Sequence, residues 1–186
     1  MGFVKPGGRT SQILNSKNIE GENLEKDDFL VLVSGTNDVA RNEADTVLKP
    51  ITETLTNFSG INIIVVDIPH RFDLPDWSCL NKEIENTNIK LSLLSDEYTN
   101  AKVVKASEAG RNLHNRHGLH MNYRGKEWLA EMIAKTITAW NNSQDQSQHR
   151  INQPLTPTVQ HREELSLLEQ EPAAGNDHTE EVKVKM

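Results

Sequence analysis

A short apolar run that stops at a glycine is the feature that most limits how this chain can fold. The run Phe29–Val33 is rich in Val and Leu, and Ser-Gly-Thr-Asn-Asp follows it at residues 34–38. A run of this kind is typical of a strand in a parallel sheet that is covered on both faces. Ligands of such sheets bind beyond the carboxyl ends of the strands, so Asn37 is predicted to lie where a site would form. The same four residues, 35–38, also suit a simple turn.

Farther along the chain, the apolar patterns alternate between strand and helix. Strands are predicted at residues 61–69 and 101–106, and residues 1–9 resemble the end of a strand that runs into a glycine turn. This order predicts the α/β class, a parallel sheet with helices on both faces. Pro50 should kink or divide the second helix, and Thr10 should cap the first. The predicted helices cover residues 11–16, 43–58, 80–97 and 122–140.

Composition indicates that part of the chain lies outside the folded domain. Hydrophobic residues make up 35% and the mean hydropathy is -0.61, both low for 186 residues that all fold. Beyond Trp140 the sequence is dominated by Asn, Gln, Ser, His, Glu and Pro without an apolar period. We therefore predict a domain at residues 1–140 and a disordered acidic and polar tail at 141–186. A short helical turn or docking peptide for a protein partner at residues 163–169 is the alternative within that tail.

Charge and cysteine content limit the partners and the compartment. The net charge of -7 and the pI near 5.5 give no reason to expect a nucleic acid or a membrane surface as partner. The single Cys79 excludes an internal disulfide, and the Met1 end lacks the apolar run of a signal peptide or membrane span. We expect an intracellular, cytoplasmic protein.

Three polar points are predicted to meet at the carboxyl edge of the sheet: Gly7, Asn37 and His120. His120 lies in a loop that enters the final helix, which is a usual place for a general base. His114, His117 and His120 recur at every third residue and raise the question of a metal site. Without a carboxylate or cysteine at matching spacing, solvated loop histidines fit better, so no metal and no cofactor are expected.

The blocks around these points resemble the SGNH family, also called the GDSL-type esterase or acyl-hydrolase family. More narrowly, they are similar to the esterase-like domains of animal transposable elements, over residues 4–140. The resemblance implies a three-layer flavodoxin-like fold and a small acyl-ester substrate. It makes the Gly7 N-H and the Asn37 amide donors of an oxyanion hole, each commonly worth about 3 to 4 kcal/mol, and His120 the base. The matching blocks are Pro6-Gly7-Gly8, Gly35-Thr36-Asn37-Asp38, and His120 with Asn122 and Gly125-Lys126.

Two departures from the family pattern change the expected function. The Gly-Asp-Ser strand that carries the nucleophile has no counterpart in these residues, and His117 stands where the family places an Asp. A neutral imidazole can orient His120, but it brings no negative charge. The missing strand should leave the Phe29 strand with an unpaired edge. We therefore expect a truncated, mobile-element-derived or degenerate relative that is inactive, with a non-catalytic protein-interaction module as the rival class.

Other residues could take part in the chemistry or substitute for the nucleophile. His70 and Arg71 could bind a substrate carboxylate or phosphate. Alternatively, Arg71 could pair with Asp73 or Asp76, which we favour. Cys79 is chemically the best reserve nucleophile, although a lone cysteine is more often a small buried hydrophobe. The serines considered for the same role are Ser11, Ser34 and Ser78.

Overall fold

Among the residues that the structure describes, three parallel strands form the sheet, as the sequence predicts. The computed structural model describes residues 2–19 and 24–151, and for residues 16, 18 and 145–151 it describes the backbone alone. The strands are Phe29–Val33 (β1), Asn62–Val66 (β2) and Ala101–Val104 (β3), in the order β1-β2-β3. Phe29 pairs with Asn62, and Ile63 pairs with Ala101. The predicted α/β class is confirmed.

Helices cover both faces of this sheet, which explains why residues 63–66 of β2 are all apolar. Ile63 and Val65 pack with the helices on one face, and Ile64 and Val66 pack with Trp140 on the other. Successive side chains of a strand point to opposite faces, so a strand buried on both sides has no polar position. The α-helices are Thr10–Ile13 (α1), Ser16–Ile19 (α2), Thr36–Ala40 (α3), Leu48–Asn57 (α4), Cys79–Asp96 (α5) and Tyr123–Ile151 (α6), with 3-10 turns at Ala44–Thr46, Ala106–Glu108 and Arg111–Leu113.

β1 lies at an edge of the sheet and pairs only with β2 among the described residues. This confirms the expected unpaired edge. The prediction that both faces of β1 are fully covered is wrong. Of the five residues of β1 only Leu32 is buried, and Val33 is 57% exposed. A strand with a neighbour on one side alone leaves part of its surface to solvent.

Several predicted boundaries differ from the structure. Residues 2–5 form no strand, and Thr10 is the first residue of α1, whose N-cap is Arg9. The predicted helix at 43–58 is a 3-10 turn followed by α4, with Pro50 in the first turn of α4. That position tolerates proline, because the first N-H groups of a helix have no partner within it.

The last helix continues past Trp140 to Ile151, beyond the predicted domain boundary at residue 140. The contacts divide the chain into Met1–Ser147 and Gln148–Met186, and of the second unit only the end of α6 is described. Residues 152–186, where most of the predicted tail and the possible docking turn fall, lie outside the described residues. Across the ranges 2–19 and 24–151, every helix is too short or too polar to span a bilayer.

Candidate active site

The amino-terminal glycine turn and the tip of β1 are held together by side-chain hydrogen bonds. Asn37 donates from Nδ2 to the Gly8 carbonyl oxygen at 3.0 Å. Next to it, the buried carboxylate of Asp38 accepts from the backbone N-H and from the hydroxyl of Thr10, each at 2.9 Å. The two blocks that the sequence places 29 residues apart are therefore neighbours.

Gly7 keeps a backbone donor available beside Asn37. Its φ of +67° suits glycine, and an added Cβ would meet nothing within 4 Å. Its N-H forms no hydrogen bond within the described residues. The Asn37 amide carries two N-H bonds, and the carbonyl of Gly8 uses one of them. One backbone donor and one side-chain donor are thus unused in adjacent segments.

At Gly35 the loop after β1 packs against the loop after β2. It has a φ of +98°, and a Cβ there would lie 2.7 Å from Cδ1 of Ile68. Both the conformation and the close approach require glycine. Ile68 is fully buried and follows β2 by two residues. The position of Asn37 is therefore fixed against the end of the central strand.

At Gly118 the loop that carries His120 packs against the loop after β2. Its φ is +82°, and a Cβ would lie 2.5 Å from the carbonyl carbon of Phe72 and 2.7 Å from the nitrogen of Asp73. The Phe72 N-H donates to the Gly118 carbonyl oxygen at 3.1 Å. The side chain of His120 itself is exposed. The backbone around His120 is therefore anchored while its imidazole faces solvent.

The start of α6 fixes the other side of the His120 loop. Asn122 accepts a hydrogen bond from the Gly125 N-H at 2.9 Å through Oδ1, which satisfies one free donor at the helix start. Its amide nitrogen donates to the carbonyl oxygens of Asn112 and His114, both at 2.9 Å. Asn122, noted in the sequence as part of the last block, thus ties this loop to the helix.

The loops after β1, β2 and β3 converge at the carboxyl edge of the sheet through these two glycine contacts. The hydrogen bond from Asn37 to Gly8 separately places Asn37 against the turn that contains Gly7. His120 lies on the third of these loops, and no hydrogen bond links its ring to Gly7 or Asn37 in the described part of the chain. The meeting of all three residues in one site stays a prediction.

Arg71 is held in an ion pair with Asp73, which confirms the pairing favoured from the sequence. Nε and Nη2 of Arg71 each lie 2.6 Å from a different oxygen of Asp73. These bonds lower the pKa of Asp73 below its usual value, with a small contribution from the charge of His120, and raise the pKa of Arg71. His70 lies 3.1 Å from Asp76 through Nε2. Whether His70 and Arg71 also bind substrate stays a prediction.

The three regularly spaced histidines differ in environment. His114 is 4% exposed, its Nδ1 lies 3.0 Å from the Gly110 carbonyl oxygen, and its ring packs on Phe72. The expectation that all three are solvated is therefore wrong for His114. His117 is exposed, and no hydrogen bond joins it to His120 in the residues described. Within those residues, no group of three His, Cys, Asp or Glu is placed to hold a metal.

None of the substitute nucleophiles bonds to His120 in the described ranges. Ser78 is the N-cap of α5 and accepts from the Asn81 N-H at 3.2 Å. Cys79 is exposed rather than buried and opens that helix. Ser11 is exposed and Ser34 half-buried. Among the described residues, His120 therefore has no hydroxyl or thiol of these candidates paired with it.

The fold and these residues define an α/β protein with a candidate site at the carboxyl edge of a parallel sheet. No protein-family model and no curated protein matches the chain. It is similar to a solved structure described as "a putative platelet activating factor from Streptococcus pneumonia". The two share 16% identity with a TM-score of 0.55, over 70% of this chain and 69% of that one. At this identity the likeness shows the fold alone.

Proposed function

We propose that this chain carries the oxyanion hole and the general base of an SGNH-type acyl-ester hydrolase. The observation that supports it most is the hydrogen bond from Asn37 to the Gly8 carbonyl, because it sets an amide donor beside the unused N-H of Gly7. The likeness in fold agrees with this proposal at a coarse level.

The proposed residues divide the work of ester cleavage in a consistent way. His120 takes the proton of a serine hydroxyl as that oxygen attacks the ester carbonyl carbon. The carbonyl oxygen becomes an oxyanion, to which Gly7 and Asn37 donate hydrogen bonds. His120 then returns the proton to the leaving alcohol, and water hydrolyses the acyl-serine by the same route.

The serine itself is not supplied by a Gly-Asp-Ser block within these 186 residues. A site that keeps its oxyanion donors but lacks a nucleophile retains only a small part of the rate enhancement. We therefore propose that the 186-residue chain by itself does not turn over esters, and that a Gly-Asp-Ser strand beside the open edge of β1 would complete the site.

Hydrolysis of para-nitrophenyl acetate by the 186-residue chain tests this proposal. The expected rate is the same for the unmodified chain, for His120→Ala and for the control His117→Ala, whose exposed ring has no hydrogen bond in the described residues. Turnover that His120→Ala abolishes and His117→Ala preserves would refute the proposed inactivity, while supporting the role of His120.

The second candidate is a non-catalytic interaction module. The absence of a hydroxyl or thiol bonded to His120 in the described ranges favours it, as does the free edge of β1. The two candidates differ in one outcome: if the site is not an esterase remnant, supplying a Gly-Asp-Ser strand creates no turnover that depends on His120.

A further inference from the structure

An open groove of about 740 Å³ lies between α5 and the segments that follow β2 and β3. None of its lining residues is Gly7, Asn37 or His120, although His70, a candidate substrate-binding residue, does line it. Its size is that of a typical small-molecule site. Asp67 and Ser107 line it from the ends of β2 and β3, and α5 contributes apolar side chains.

Asp67 is a buried carboxylate whose partners are neutral. It is 4% exposed, and it accepts hydrogen bonds from the Ser107 N-H at 2.7 Å and from the Ser107 hydroxyl at 2.6 Å. In the described residues, no Lys, Arg or His nitrogen forms an ion pair with it. Burial raises the pKa of Asp67, and the charge of Glu108 adds to that effect. Buried carboxylates are uncommon without a cationic partner.

Lys105 and His70, which line the groove, already face other acids. Lys105 lies 3.7 Å from Glu108, and His70 lies 3.1 Å from Asp76. Glu85 also lines the groove and has no ion pair in the described part of the chain. Among the described residues that line the groove, Asp67 and Glu85 are thus acids without a cationic partner.

The α5 wall of the groove carries exposed aliphatic side chains among polar ones. Ile89 and Leu93 expose 54% and 62% of their surface, and both line the groove together with Ile84. Large aliphatic side chains left in water at a groove wall offer a surface that an apolar ligand could cover. A carboxylate at one end and aliphatic side chains along one side define an amphipathic, cation-selective shape.

We propose that this groove binds a small ligand that carries a primary ammonium group on an apolar body. The ammonium group donates to the carboxylate of Asp67, which already accepts from the N-H and hydroxyl of Ser107 and from the Ala106 N-H and keeps one of its four acceptor positions. The apolar body lies along Ile89 and Leu93. This supplies the cation that Asp67 lacks and removes both aliphatic side chains from water.

The test is a titration of the full chain with n-hexylammonium, followed through its amide NMR spectrum. Hexanol and hexanoate are matched probes with the same alkyl chain and a neutral or negative head. We expect saturable chemical-shift changes at groove residues with n-hexylammonium. The affinity for hexanol should be about tenfold lower, because hexanol lacks the one charge-assisted hydrogen bond. Asp67→Asn keeps the size and acceptor oxygen of the side chain while removing its charge, and should weaken n-hexylammonium to the level of hexanol.

Two further variants make the result decisive. Leu93→Ser removes exposed apolar surface without touching the core and should weaken all probes that bind. Asp73→Asn removes an acid outside the groove lining and should leave the affinity for n-hexylammonium unchanged. The proposal is overturned by the absence of saturable shifts, by equal binding of the three probes, or by unchanged affinity in Leu93→Ser. Should Asp67→Asn not fold, the probe comparison and Leu93→Ser still decide; if it folds and binds n-hexylammonium unchanged, the proposal is also wrong.

Discussion

Thr10 clamps the buried carboxylate of Asp38 with both its backbone N-H and its hydroxyl. The two donors lie 2.9 Å from the same oxygen, and the residues expose 0% and 1% of their surface. This contact joins the start of α1 to the start of α3, and the Gly7–Gly8 turn and Asn37 lie immediately beside it. The proposed oxyanion hole therefore depends on a long-range hydrogen-bonded pair.

Removing that carboxylate should cost stability. Asp38→Ala leaves the two donors of Thr10 without a partner in a buried site, so the free energy of unfolding should fall by about 3 kcal/mol. Urea unfolding measures it. Asp38→Asn keeps an acceptor oxygen and should cost less. Equal stability of Asp38→Ala and the unmodified chain would show that the pair does not hold these segments together.

Gly118 should be intolerant of a side chain. Gly118→Ala puts a methyl group 2.5 Å from the backbone of Phe72 at a φ of +82°, so it should destabilise the chain by about 2 kcal/mol or more. Gly60→Ala is the matched control, because a Cβ there meets nothing within 4 Å. The measurement is the urea midpoint of both variants. Similar midpoints would mean that the loop carrying His120 is not packed on Phe72 as described.

The Arg71–Asp73 pair should make the free energy of unfolding depend on pH in the acidic range. Arg71 lowers the pKa of Asp73, so the carboxylate adds stability above its unfolded pKa near 3.8 and loses this contribution as the pH falls through the lower folded value. The free energy of unfolding of Asp73→Asn should be about 1 kcal/mol below that of the unmodified chain at neutral pH. The gap should close in strong acid.

Asp76→Asn is the control for this pH dependence, since Asp76 faces His70 with an exposed side chain. Its stability difference from the unmodified chain should be smaller at neutral pH. A gap for Asp73→Asn that stays constant from neutral to strongly acidic pH would exclude the ion pair as its cause.

The sheet could be predicted from the sequence because its strands are short apolar runs bounded by turn residues. Both faces of β2 are buried, so residues 63–66 are all apolar, and such a short apolar run indicates a strand. The same sequence patterns predicted that Asn37 follows a strand and that His120 precedes a helix. Where it failed, the cause was contact with distant residues: a cap was predicted at Thr10, whose donors instead bind Asp38, 28 residues away.

Which polar side chains are buried could not be predicted from the sequence either. His114, His117 and His120 have the same spacing, yet His114 alone is buried, with its ring on Phe72 and its Nδ1 near the Gly110 carbonyl oxygen. Asp67 gave no signal other than ending an apolar run, and its importance appears only with Ser107 and the groove beside it. The hydrogen bond from Asn37 to Gly8 likewise depends on a fold that local patterns do not specify.

Reconstitution of the site tests the proposed function most directly. A strand carrying Gly-Asp-Ser is joined ahead of Met1, folding is confirmed by circular dichroism, and hydrolysis of para-nitrophenyl acetate is measured. We expect turnover that falls by about 100-fold or more in His120→Ala and in Asn37→Ala, and that His117→Ala leaves unchanged. A folded, extended chain that hydrolyses the ester no faster than its His120→Ala and Asn37→Ala variants would contradict the assignment of these residues as base and oxyanion donor.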